Sequence, residues 1–199
     1  MSELLTYVSL GFHHIADLRA ADHILFLLAL AAIYRASNWR SAIWVITAFT
    51  VGHSLTLGLA VTGRVVFPTA MIEYLIPVTI VLTCLENLRG LFRPDTGIGV
   101  PLRAALGLVF GLVHGAGFAN YLKAMFVDRI ALPLVGFNLG IETGQLLILV
   151  IAGVAFTGMD RTAGVLRVER IQPFGIRVVA VSSVVAILAS RMVLERSIW

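Results

Sequence analysis

Five histidines, His13, His14, His23, His53 and His114, fall within or beside apolar stretches, and none lies in a hydrophilic loop. Asp22, Glu86 and Glu142 share those surroundings. A carboxylate at mid-membrane costs about 2.5–3.5 kcal/mol on insertion scales, so each needs a partner, a wet cavity or a bound cation. Glu73 lies nearer an interface and needs less. Neutral imidazole suits nickel, cobalt, copper, zinc or iron, whereas calcium and magnesium favour all-oxygen shells. Nearby carboxylates offset an ion's charge or fix a ring tautomer. The residue types therefore point to a divalent transition metal held by His14, Asp22, His23, His53, His114 and Glu142. Asn138, Gln145, Glu86 and Ser54 are expected as supporting or pathway residues. Buried polar residues can also cross-link membrane helices by hydrogen bonds worth about 0.6 kcal/mol each, which would suffice for His53 alone. It does not explain so many ionisable groups at similar depth. His13 is expected at the interface, with His14 as the inward member of the pair.

Spacing supports inward polar faces. Thr50 and His53 are three residues apart, and Asn138, Glu142 and Gln145 follow at four and three, so each set shares one helical face. Ser54, Thr79 and Thr83 read as donors to helix backbone, not nucleophiles.

The elements that must position these groups follow from composition. Of 199 residues, 59% are hydrophobic and 13% charged, against about 45–50% and 25% in soluble domains. The expected fold is all-α, one integral membrane domain over 1–199 containing a bundle of six transmembrane helices. Spans are predicted near 22–36, 40–62, 70–92, 103–126, 131–157 and 174–192. The first is short for the roughly 20 residues that a crossing needs. An interfacial or partly inserted N-terminal helix within 1–18 is expected to complete it. Residues 158–173 read as a polar cytoplasmic loop. The start of the chain lacks the basic region, apolar run and cleavage site of a secretory signal.

Arg35, Arg40, Arg89, Arg93, Arg103, Arg161, Arg167, Arg170 and Arg177 flank one side of this topology, and Arg19, Arg64, Lys123, Arg129, Arg191 and Arg196 the other. The richer side is expected to be cytoplasmic, which puts both termini outside a bacterial inner membrane, in the periplasm if the cell is Gram-negative. The net charge of +4 is scattered between apolar runs and forms no nucleic-acid stripe. Lipid and a metal ion are the expected partners, and a homo-oligomer is compatible with the chain. The single cysteine, Cys84, excludes an intrachain disulfide and reads as a core residue.

Gly107, Gly111 and Gly115 repeat every four residues, as do Gly136, Gly140 and Gly144. Such rows let backbones approach closely, so the fourth and fifth spans are expected to pack on each other. Pro77 can free backbone carbonyls within the third span.

The blocks GFHHIADLRAADHILFLLAL, TAFTVGHSLTL, IEYLIPVTIVLTCLENL, GLVHGAGFANYL and GFNLGIETGQLL resemble, in order, those of the HupE/UreJ family of small membrane proteins. The resemblance implies a nickel-favouring permease. It maps the family's first-helix signature onto His14, Asp22 and His23, and a later His-Gly motif onto His114 and Gly115. Seven residues separate His14 from Asp22, more than the permease signature has, and Phe118 or its neighbours stand where that motif carries a second histidine. The chain thus resembles a divergent branch. Beside a permease, the ligand types admit an intramembrane metalloenzyme holding zinc or iron with one open position, although no HExxH motif is present. A subunit docking a partner through the fifth loop is a third possibility.

Overall fold

A computed structural model describes residues 2–18, 21–66, 68–92, 98–125, 131–165 and 172–197, all helical or in short connections. The helices are α1 (Glu3–Ala16), α2 (Asp22–Ala32), α3 (Trp39–Val61), α4 (Thr69–Phe92), α5 (Val100–Met125), α6 (Ala131–Val165) and α7 (Pro173–Glu195), with a 3-10 turn at Ala36–Asn38 before α3. Helices α3 to α7 are each long and apolar enough to cross a bilayer. Pro173 opens α7 with its fixed φ and missing N–H, where neither costs a hydrogen bond. Gly63, at φ 72°, ends α3 in the left-handed conformation a Cβ would penalise.

Glycine rows decide which helices pair, and they overturn one expectation. A Cβ added at Gly111 would collide with the Phe49 carbonyl, and one at Gly115 with the His53 carbonyl, so the α5 row packs on α3. The α6 row packs on α1: Gly136 faces Leu4 and Tyr7, Gly140 faces Val8 and Phe12, and Gly144 faces Phe12 and Ile15. The two rows therefore do not meet each other. Each row is matched by a glycine on its partner, Gly52 against Leu108 and Gly11 against Phe137. A row read from sequence names a smooth face but not the face that covers it.

Along α1 and α6 the paired numbers rise together, so these helices are parallel. Further along, Leu28, Ala31 and Ala32 of α2 pack with Leu149, Ala152 and Phe156 of α6. Helices α1 and α2 thus follow one another down α6 in the same direction. With 14 and 11 residues, they rise about 21 and 17 Å, and neither alone reaches the roughly 30 Å of hydrocarbon. Helix α1 is more than an interfacial helix, because Gly11 and Ile15 are buried in the bundle.

Helix α6 runs 35 residues to Val165 and takes in the first half of the expected loop at 158–173. Its polar end stays helical because its side chains find partners there. Asp160 accepts a 2.9 Å bond from Arg177 Nη1 of α7, while Thr157 and Thr162 donate to carbonyls one turn back. Arg177 also donates to the Tyr34 carbonyl and lies over the Phe156 and Phe174 rings. The expectations for Arg19, Arg93, Arg129, Arg167 and Arg170, and for the helix end at 126, fall outside the described residues.

Phe26, Phe49, Phe137, Ile15 and Ile141 fill the interior. Val150, Val154, Val184 and Ile187 are more than half exposed. An apolar exterior over apolar helices of this length belongs in lipid, and the chain is an integral membrane protein. The starts of α1, α4 and α6 and the ends of α3, α5 and α7 share one face of the bundle, hereafter the terminal face.

Candidate metal centre

The break between α1 and α2 sets the centre. It places His14 in the last turn of α1 and Asp22 and His23 in the first turn of α2, with imidazole centroids of His14 and His23 4.7 Å apart. Helix α3 brings in His53, at 6.1 Å from both. The close approach of Gly111 and Gly115 to the His53 backbone fixes that residue against α5. Helix α5 supplies His114, 5.2 Å from the His23 ring. Counting about 1.5 Å per residue from Val61 and Met125, His53 and His114 lie roughly 12 and 17 Å below the terminal face.

One nitrogen from each of His14, His23 and His53 lies within 4.8 Å of the others. Three imidazoles on one tetrahedral ion at about 2.1 Å would have nitrogens roughly 3.4 Å apart, so a closure of at most about 1.4 Å would bring the three onto one ion. His14 Nε2, both nitrogens of His53, His114 Nδ1 and His23 Nε2 are buried without a hydrogen-bond partner. His23 Nδ1 lies 3.2 Å from Asp22 Oδ1, at ion-pair distance but outside hydrogen-bond geometry. An unmet buried polar atom costs about 1–3 kcal/mol, and several in one spot mark a place built for something other than apolar packing.

Thr79 settles the orientation of His114. Its hydroxyl proton goes to the Ile76 carbonyl at 2.7 Å, so its oxygen can only accept from His114 Nε2 at 3.1 Å. That leaves Nδ1 as the lone-pair nitrogen, the one without a partner. Outer groups of this kind are worth 10- to 100-fold in metal affinity. Thr79→Val is therefore expected to weaken Co²⁺ binding by about tenfold, measured by titration of purified protein, while Thr83→Val, whose hydroxyl bonds only the Thr79 carbonyl, leaves it within about twofold.

The remaining expected residues divide. Asp22 is buried, its Oδ1 accepting from the His23 N–H at 3.0 Å at the N-terminus of α2, where helix dipoles favour an anion. Glu142 is half-buried and does not join the histidine group. Gln145 Oε1 accepts from Thr50 at 2.8 Å and ties α6 to α3. Ser54 donates to the Thr50 carbonyl. Asn138 Oδ1 is buried without a partner. His13 is exposed and bonds the Ser9 carbonyl, as expected of an interfacial residue. Glu86 lies toward the opposite face, 3.7 Å from Arg103 and 3.9 Å from Arg89.

Aromatic rings, of which sequence reasoning singles out only Phe118, flank the centre on both sides. Toward the terminal face, Phe118 and Phe137 stack at 5.3 Å, and Phe118 lies 3.9 Å from His14. Toward the opposite face, Phe26 and Phe49 stack at 4.8 Å, with Phe110 edge-on to Phe26. Beyond them opens a cavity of about 360 Å³ lined by Phe26, Tyr34, Glu86, Asn87 and Arg103 among others. Aromatic residues look like ordinary core in sequence, and only their places above and below the histidines give them another meaning.

Comparison with curated proteins and with solved structures found no match. Among protein families, residues 1–194 match the family described as HupE / UreJ protein. A match over nearly the whole chain, to an all-helical membrane bundle, shows that this protein belongs to the HupE/UreJ family.

Proposed function

We propose that the chain is a permease for a divalent transition-metal ion, with nickel or cobalt favoured, whose ligands are His14, His23 and His53 with Asp22 and His114 beside them. The observation that carries this reading is the meeting of unpartnered imidazole nitrogens from separate helices inside the bundle. Asp22 and His114 are placed beside these three for their approach to His23, and Glu142 is left out of the ligand set.

Transport needs a site that is reachable from each side in turn, and the surroundings suit it. In this reading α1 and α2 make one interrupted crossing, the sixth with α3 to α7. Interrupted helices supply ion ligands from their broken ends in many transporters. The terminal face is the outer one. An ion enters past Phe118 and Phe137, is held by the imidazoles, and leaves past Phe26 and Phe49 into the cavity that holds Glu86. Weakly held, exchangeable metal fits transport, whereas a metalloenzyme would retain its ion.

Uptake of Ni²⁺ or Co²⁺ into proteoliposomes tests the reading. Wild-type protein is expected to carry the ion, and His23→Ala to lose most of that uptake; uptake unchanged in His23→Ala would sink the proposal. Glu86→Gln separates binding from exit. It is expected to slow uptake several-fold while Co²⁺ affinity stays within about twofold, because Glu86 lies across the aromatic pair from the imidazoles.

A further inference from the structure

Asp22 faces a positive charge that the chain itself supplies. Arg196 stands one residue past α7, and its Nη1 lies 3.4 Å from Asp22 Oδ2. The same nitrogen lies 3.4 Å from the carbonyl oxygen of Glu73 on α4. That second acceptor exists for a local reason: Pro77 sits inside α4 without an N–H, so the Glu73 carbonyl four residues earlier has no helical donor. Two separate features, a buried carboxylate and a carbonyl released by proline, thus converge on one guanidinium. The neighbouring Glu195 does not compete, being paired at 2.8 Å with Arg191.

The carboxylate meets both neighbours at once. Oδ1 accepts from the His23 backbone N–H and lies 3.2 Å from its ring without hydrogen-bond geometry, and Oδ2 faces Arg196. A divalent ion among the imidazoles would need that negative charge, and two cations cannot share it without repulsion. Arginine keeps its charge at any physiological pH, so the conflict cannot be relieved by losing a proton. It is relieved by movement of the side chain, which is 30% exposed.

Resting on the permease reading above, we propose that Arg196 is a displaceable internal cation: it holds the Asp22 carboxylate until a divalent ion takes its place, and so sets the threshold that an ion must exceed to occupy the site. An alkali ion gains little from imidazole and carries no more charge than the guanidinium, so it has no means of displacing Arg196. A transition-metal dication gains His14, His23 and His53 together. Selection against monovalent ions is thereby built into the contact between the end of α7 and the start of α2.

Co²⁺ titration of the purified full chain tests this. Arg196→Gln is expected to bind Co²⁺ about fivefold more tightly than wild type, the upper end of what releasing one partly exposed ion pair gives. Arg196→Lys, which retains the charge, is expected to stay within about twofold of wild type. In an Asp22→Asn background, Arg196→Gln should have no further effect. Equal or weaker binding by a folded Arg196→Gln protein overturns the proposal while leaving the metal site standing. Absence of Co²⁺ binding in every variant overturns the metal site and this proposal together. A second measurement needs no variant: Co²⁺ should raise modification of Arg196 by phenylglyoxal, read by peptide mass spectrometry, and an unchanged extent overturns the proposal.

Discussion

Replacing His23 with alanine is expected to weaken Co²⁺ or Ni²⁺ binding by about a hundredfold or more, the upper end of what even outer-shell losses cost. His23 is the hub of the cluster, with ring centroids 4.7 Å from His14, 6.1 Å from His53 and 5.2 Å from His114. Its ring also lies 3.2 Å from the Asp22 carboxylate. Its removal takes one of three nitrogens from the shell. His13→Ala is the matched control, since that exposed ring bonds only the first helix. Its affinity should stay within about twofold of wild type. Isothermal titration on both variants makes the comparison, with size-exclusion profiles checking that each is folded. A His23→Ala protein that binds like wild type would show that the imidazoles do not act on one ion.

The second large effect concerns the pairing of helices. Gly111→Val and Gly140→Val should each abolish most recovery of monodisperse protein, at a cost of about 3 kcal/mol or more. The added carbons would fall on the backbone carbonyls of Phe49 and Val8, and backbone cannot rotate aside as a long side chain can. Either pair of helices would have to separate, and with it the group that contains His14 or His53. Gly153 of α6 has nothing within 4 Å of an added Cβ. Gly153→Ala should therefore leave recovery unchanged or raise it slightly, since alanine is favoured over glycine in helices by about 1 kcal/mol. Equal losses at Gly111 and Gly153 would remove the case for close packing.

Both predictions also mark how far the amino-acid sequence can be read. Ionisable residues inside apolar stretches are costly, and that cost singles out His14, Asp22, His23, His53 and His114, but it singles out Glu86 and Glu142 equally. Helix spans are legible for the same reason, because lipid admits few backbone arrangements. The stretch from 158 onward reads as a loop because its charges look solvated. The partner that keeps Asp160 in a helix, Arg177, lies on the next helix, where periodicity does not reach. Glu142 shares a face with Asn138 and Gln145, as its spacing requires, but a shared face does not fix how near its end comes to the imidazoles. Glycine rows are plain in the sequence while their partners are not, since a smooth face fits any other smooth face. Thr79 and Arg196 carry no sign of a place at the site. Their roles arise from contacts distant in the chain, 35 positions for Thr79 with His114 and 174 for Arg196 with Asp22.

X-ray absorption at the metal edge of Co²⁺-loaded or Ni²⁺-loaded protein tests the shared imidazole site most directly. The expected spectrum has about three nitrogen neighbours near 2.0–2.1 Å with the outer-shell scattering of imidazole rings, reduced by one ring in His53→Ala. A spectrum of oxygen neighbours alone, unchanged in His53→Ala, would contradict it.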